Sequence, residues 1–258
     1  MVIDTHCHLD TPAFDADLDA VLSRAVAAGI RGMLVPAIRP RTWPALAELA
    51  ARAHGAGVRC ALGIHPQIVP ELAPDELAGD LEQRLADAIT EAHAVAVGEC
   101  GLDGGTGSLD LQERLFRAHI RVARALRLPL VIHVLRAHDA APRILREEGP
   151  VEGVLHSYSG GAELVPVYRA LGLAFSFAGP ISYANARRPV EAARSIPPEL
   201  LLVETDAPDQ APDGHRGGRS EPAFLPAVVA GLAAARGISV EDAAALTAAN
   251  ARRVFASW

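Results

Sequence analysis

The stretch VIDTHCH at residues 2–8 opens with an apolar, β-branched run and closes on two histidines. That is the form of a buried parallel strand with working side chains at its carboxyl end, because strands covered on both faces read as short continuous apolar runs. Seven further segments repeat it, at residues 32–37, 58–64, 94–98, 130–133, 153–156, 173–177 and 200–205. Between them lie helical patterns rich in Ala, Leu, Arg and Glu, among them residues 17–28, 42–54, 109–126 and 163–171. Asp75 is the expected cap of a helix running on to His93, since a carboxylate accepts first-turn amides. Strict alternation of strand and helix argues for a parallel sheet. Eight repeats in 258 residues point to an α/β fold of the TIM type, a closed (β/α)8 barrel, for which ~250 residues is usual. Two more helices, residues 225–236 and 240–255, follow the last strand, with Pro226 in a first turn where a missing amide proton costs nothing. No internal repeat interrupts the pattern, so residues 1–258 are expected to form a single domain.

Composition sets limits on function. Half of the residues are hydrophobic but only 4% are aromatic, so the core is built of Ala, Val, Leu and Ile. The net charge of −7 and the lack of a basic stripe exclude a protein that grips duplex DNA through many phosphates. A nucleic-acid substrate must instead be held locally. Three cysteines without CxxC spacing fit a reduced setting. No apolar run approaches the ~20 residues of a membrane span, and no leader precedes the first strand, so a cytoplasmic location without membrane contact is expected. No obligate protein partner is evident.

Ten histidines are present. His54, His93 and His119 fall within helical patterns and read as solvated or satisfied by neighbours; His138 is expected to open a helix and His215 lies in a long loop. The others behave differently. His6, His65, His133 and His156 come at or just after predicted strand ends, and His8 follows His6 by two. Glu99 and Asp206 follow the ends of strands four and eight. In a barrel those ends converge on one mouth, where active-site groups sit. Period-two alternation lets His6 and His8 share a face while Cys7 turns away, and likewise Glu204 and Asp206, with Glu204 one layer deeper as a supporting partner or buried base. Cys7 and Cys100 read as packing residues. Four histidines with two carboxylates exceed the needs of one tetrahedral zinc. They suffice for two divalent ions (zinc, manganese or magnesium) about 3.5–4 Å apart, with Glu99 as the bridge and Asp206 as ligand and proton acceptor.

Six motifs in order resemble the TatD-like metal-dependent hydrolases, described as deoxyribonucleases, within the amidohydrolase superfamily: DTHCHLD at 4–10, GIHP at 63–66, GECGLD at 98–103, LPLVIH at 128–133, HSYSG at 156–160 and VETDAP at 203–208. The resemblance implies that His6, His8, Glu99 and Asp206 hold one metal, and Glu99, His133 and His156 the other. It places His65 beside the substrate and Arg136 near a phosphate, whose oxygens a guanidinium fork suits. The chain departs from the family pattern at Gln67, where many relatives carry histidine, in the GGTGS run after GLD, in the spacing from His133 to Arg136, and in SEP where NEP is commoner. The GGTGS run lacks the ending of a phosphate-binding loop and reads as a flexible connection. The residues from Asp206 to Ser220 form a loop long enough to be functional or disordered.

The activity expected is a two-metal 3′–5′ exonuclease or phosphodiesterase acting on DNA ends or small phosphate esters, with Arg136, Arg187 or Arg188 positioning the phosphoryl group. The same metal cage would also serve hydrolysis of an amide, ester or lactone, including an aminoacyl ester of tRNA. A non-catalytic metal-binding scaffold is the third reading, and its signature, lost ligands, is missing.

Overall fold

A computed structural model describes every residue from Met1 to Trp258. Eight parallel strands form one sheet in sequential order: β1 (Val2–Asp4), β2 (Ile30–Pro36), β3 (Val58–Leu62), β4 (Ala96–Asp103), β5 (Leu130–Leu135), β6 (Gly153–Leu155), β7 (Leu173–Phe177) and β8 (Leu201–Val203). The helices are α1 (Leu18–Ala27), α2 (Trp43–Arg52), α3 (Leu81–Ala92), α4 (Leu109–Leu126), α5 (Ala140–Glu148), α6 (Val165–Arg169), α7 (Arg187–Ser195), α8 (Leu225–Arg236) and α9 (Val240–Phe255). This is the TIM-type barrel expected from the alternation.

The first and last strands meet through a short seam. Thr5 N donates to Val203 O at 3.2 Å and Asp206 N to His6 O at 2.9 Å. The buried Asp4 carboxylate reinforces it, accepting from Thr205 N at 2.9 Å and Thr205 Oγ1 at 2.6 Å. The ladders of β1 and β8 are therefore shorter than the apolar runs suggested, and the residues that follow them, 5–8 and 204–206, are held by seam bonds rather than by a regular ladder. Strand β4 departs the other way. It runs through Glu99 to Asp103, because Gly101 pairs with His133 of β5 and Asp103 with Leu135. Gly101 permits this approach: at φ +133°, an added Cβ would lie 2.0 Å from His133 O. Glu99 and His133 thus lie inside strands, not past their ends.

Asp75 does not cap α3. It sits in a single 3-10 turn, Pro74–Leu77, and the cap is Asp80, whose carboxylate accepts from Gln83 N at 3.2 Å. The leucine at 81, rather than the proline-led turn before it, begins the continuous helical bonding. His93 then ends the helix in the left-handed conformation.

Two apolar layers hold the barrel. The larger lies between sheet and helices. The smaller takes one inward residue from each strand (Ile3, Leu34, Ala61, Ala96, Val131, Val154, Ala174 and Leu202) and is closed by Ala248, Ala251, Val254 and Phe255 of α9. The last helix thus plugs the mouth opposite the strand ends. No single helix is long and apolar enough to cross a membrane; α8 with its lead-in turn and α9 pass together only as a pair bent by 106°, and both contribute buried residues to the barrel.

Truncating Phe255 to Ala removes the largest side chain of this plug. The expected cost is about 3–5 kcal/mol of unfolding free energy, read in a denaturant titration, with metal content of the folded protein unchanged.

Candidate metal centre

Glu99 stands on β4 with its carboxylate fully buried. Its Oε1 lies 2.8 Å from His156 Nε2, 2.9 Å from His65 Nε2 and 3.1 Å from His133 Nδ1. Its Oε2 lies 3.1 Å from His6 Nε2 and 3.5 Å from His8 Nε2. Asp206 faces the same point, Oδ1 being 3.7 Å from His6 Nε2 and 3.9 Å from His8 Nε2. The rings of His6 and His156 stack at 3.9 Å. The structure therefore brings together all six residues assigned to metal from the sequence, and adds His65 to the group.

What lies behind each ring separates His65 from the others. A metal ligand needs a free lone pair on the nitrogen facing the metal, and the opposite nitrogen's partner selects the tautomer. His8 Nδ1 faces the Pro36 carbonyl oxygen at 3.3 Å, an acceptor that fixes the proton on Nδ1 and leaves Nε2 bare. His133 Nε2 faces Asp103 Oδ2 at 3.1 Å, which leaves Nδ1 bare toward Glu99. His156 Nδ1 lies 3.3 Å from Glu204 Oε1 without hydrogen-bonding to it, so Glu204 acts on this ring through its charge and does not fix its tautomer. His65 is reversed. Its Nδ1 accepts from Gln67 N at 3.0 Å, so the nitrogen facing Glu99 carries the proton. His6 Nδ1 is buried without a partner, and no backing group selects its tautomer.

The electrostatics of the metal-free centre follow. Burial opposes ionisation of Glu99, but His156, His65 and His6 hold it well below the usual carboxylate range. Burial also opposes a charge on His8, yet Glu99 and Asp206 raise it to about 9. His156 and His133 are raised too, against burial, by Glu99 with Glu204 or Asp103. Burial and the neighbouring His156 push His6 down to about 3, and burial raises Asp206 to about 6. Glu99 Oε2 is buried with no hydrogen-bond partner. An orphaned carboxylate oxygen among imidazole nitrogens fits a divalent cation, and nitrogen–carboxylate donor sets suit zinc and manganese.

Several residues that sequence reasoning passed over support the centre. Asp103, the last residue of β4, accepts from Gln67 Nε2 at 2.8 Å and Gly105 N at 2.7 Å besides contacting His133. Gln112, buried on α4, accepts from Asp103 N at 2.8 Å. The GGTGS run thus begins at a residue pinned from three sides. Period-two counting from Glu99 reaches Asp103 and was the available signal. Gln210 donates to Asp206 Oδ2 and exchanges hydrogen bonds with Ser157 Oγ. Glu204 accepts from Ser157 N at 2.5 Å. A cavity of about 500 Å³ opens over the centre, lined by His8, His65, His133, His156 and Asp206, with Asp209 and Gln210 from the long loop.

Arg136 is exposed beside Gly105 and does not line the cavity. Arg187 is exposed at the start of α7, and Arg188 lines a neighbouring recess. His119 is buried and satisfied, accepting from Ile64 N at 3.0 Å with Nδ1 facing Leu115 O. His138 stands in the turn before α5, bonded to Tyr168 and Ser159. Cys7 and Cys100 turn their sulfurs toward the carbonyls of Leu34 and Val131, away from the centre.

A barrel whose strand ends gather buried imidazoles and carboxylates beneath an open cavity has the form of a metal-dependent hydrolase. The chain belongs to the TatD family: the family described as TatD related DNase matches residues 3–256. It is 32% identical over 259 residues to "Uncharacterized metal-dependent hydrolase YabD" of Bacillus subtilis, covering 99% of both chains. It is 34% identical over 266 residues to "Uncharacterized metal-dependent hydrolase TatD" of Mycobacterium tuberculosis, covering 98% of this chain and 97% of that one. The crystal structure of the TatD homologue YJJV from Escherichia coli superposes with a TM-score of 0.89 at 29% identity, over 99% of this chain and 98% of that one.

Glu99 and the neighbouring carboxylates raise His8, His133 and His156 and so favour a second proton on each ring, and a cation must displace the one on the nitrogen it takes. Zinc titrated into chelator-treated protein near pH 7 is expected to release protons. Apparent affinity should rise with pH until His8 is deprotonated near 9. Calorimetry in buffers of differing ionisation enthalpy measures the release; identical heats in all buffers would contradict this protonation pattern.

Proposed function

We propose that the chain hydrolyses a phosphodiester at the end of a DNA strand, using two divalent ions. The observation that carries this reading is the buried Glu99 carboxylate with imidazole nitrogens on both oxygens, Oε1 and Oε2, at the floor of an open cavity. A carboxylate engaged through both oxygens suits a bridge between two cations. His6, His8, Glu99 and Asp206 would hold one ion, and Glu99, His133 and His156 the other. When bound, such ions polarise a phosphoryl oxygen and lower the pKa of water.

The remaining work falls to the protein. Asp206 lines the cavity, with Oδ1 facing the same point as Glu99. It is suited to accept the proton of the attacking water, while Gln210 holds its second oxygen in place. His65 keeps a proton on Nε2 and opens into the cavity. We assign it to donate a hydrogen bond to the substrate oxygen that gains charge, rather than to ligate metal. Asp103 orients His133 from behind, and the Glu204 carboxylate lies 3.3 Å behind His156. The family description supports a nucleic acid as substrate. A cavity of about 500 Å³ takes a terminal nucleotide, not a length of duplex, and a net charge of −7 offers no long phosphate track.

The test combines metal analysis with hydrolysis of end-labelled single-stranded DNA, with and without chelator and with zinc, manganese or magnesium restored. About two ions per chain and chelator-sensitive trimming from one end are expected. Cleavage of carboxylic esters or amides but not of DNA or simple phosphodiesters would overturn the phosphodiester assignment. Two substitutions separate the histidines. His133→Ala is expected to lose metal along with activity. His65→Ala should keep its metal content and lose about 100-fold in kcat, the scale of one oxyanion donor. Metal loss in His65→Ala would return that residue to the ligand set.

A further inference from the structure

Beside the metal cavity lies a second recess of about 210 Å³, and the two share Ser157, Ser159 and Gln210 as a common wall. The recess reaches from the loop after β6 to the start of α7, where Arg188 lines it. Most arginines near carboxylates on this protein are committed: Arg24, Arg117, Arg121, Arg143 and Arg219 each pair with Asp or Glu. Arg188 pairs with none. It is nevertheless close enough to act on the buried groups around the recess. After burial itself, its charge is the largest influence lowering His138, and it also acts on Tyr158. Glu163, the other charged side chain that reaches Tyr158, neither lines the recess nor pairs with Arg188. Two more donors are available on the same wall: the backbone amides of Ser159 and Gly160 donate to no acceptor in the protein. The hydroxyl of Ser159 is spent on Val134 O at 2.9 Å, so donation from this wall falls to the amides.

We propose that this recess binds a second phosphate of the substrate, the one adjoining the scissile phosphodiester along the strand. The inference rests on the phosphodiester reading of the metal cavity and makes it narrower. Free N–H groups beside an unpaired guanidinium form an anion site, and the shared wall makes it continuous with the metal cavity. A recess of this volume holds several waters at about 30 Å³ each, and so one phosphate group. The preferred substrate is then an oligonucleotide end with at least two phosphates, and a lone phosphodiester leaves the recess unfilled. Arg136, the arginine assigned to phosphate from the sequence, lines neither cavity.

The experiment uses metal-loaded protein and two thymidine dinucleotides joined by an uncharged methylphosphonate, one with a 5′ phosphate and one without. Neither is expected to turn over, so binding is read directly. The wild-type protein is expected to bind the 5′-phosphorylated probe about tenfold more tightly, the scale of one charge-assisted contact. Arg188→Ala should bind both probes alike, and Arg188→Lys should retain part of the preference. With single-stranded DNA, Arg188→Ala should raise KM and leave kcat within about twofold. Equal binding of both probes by the wild type, or an undiminished preference in Arg188→Ala at unchanged melting temperature, overturns the proposal. If metal-loaded wild type cleaves no phosphodiester at all, the nuclease reading fails separately, and the probe binding still decides the recess.

Discussion

A charge buried at the axis of the barrel constrains everything around it. Taking a carboxylate out of water costs several kcal/mol even after the protein relaxes, so Glu99 is tolerable only with cationic or donor groups on every side. Those groups arrive from the chain after β1, the loop after β3, β5 and the end of β6. Each must reach the same point within about an ångström. That demand fixes how β4 pairs with β5, since sliding Gly101 past His133 by one residue would turn His133 outward. The apolar layers set the barrel's size, but the buried carboxylate determines which side chains must meet at its mouth.

The imidazoles around Glu99 are not equivalent, and their differences are built one residue further out. Asp103 and the Pro36 carbonyl each place a proton on the far nitrogen of a ring, while the Gln67 amide does the reverse to His65. One family of side chains thereby supplies both lone pairs for a cation and a proton donor for a substrate. The distinction depends on backbone and carboxylate groups that do no chemistry themselves. Gln67 participates twice, through its amide to His65 and its side chain to Asp103, so the position where many relatives carry histidine still serves both rings here.

The barrel was legible from strand composition because each strand is buried on both faces and so leaves an uninterrupted apolar run. The ends of strands were less legible. Glu99 and His133 are polar residues inside β4 and β5, and polarity in the sequence looks like a strand terminus whether or not the ladder continues. The cap expected at Asp75 falls at Asp80, five positions on, because continuous helical bonding begins only at Leu81. The histidines and acids of the centre could be named from position alone. Gln112 and Gln210 could not, because a buried helix amide and a loop amide resemble any other polar residue until the fold sets them beside Asp103 and Asp206.

The seam between β1 and β8 joins residues 201 positions apart in the chain, Asp4 and Thr205. His6 and His8 have long left the ribosome before Asp206, its partner Asp4–Thr205 clasp and the α9 plug can form. A growing chain therefore carries its metal-binding groups as separate pieces and cannot gather all of them early. Proteins truncated before β8 would hold ions weakly and non-specifically, if at all. In this architecture the full set of candidate ligands exists only once β8 has joined β1.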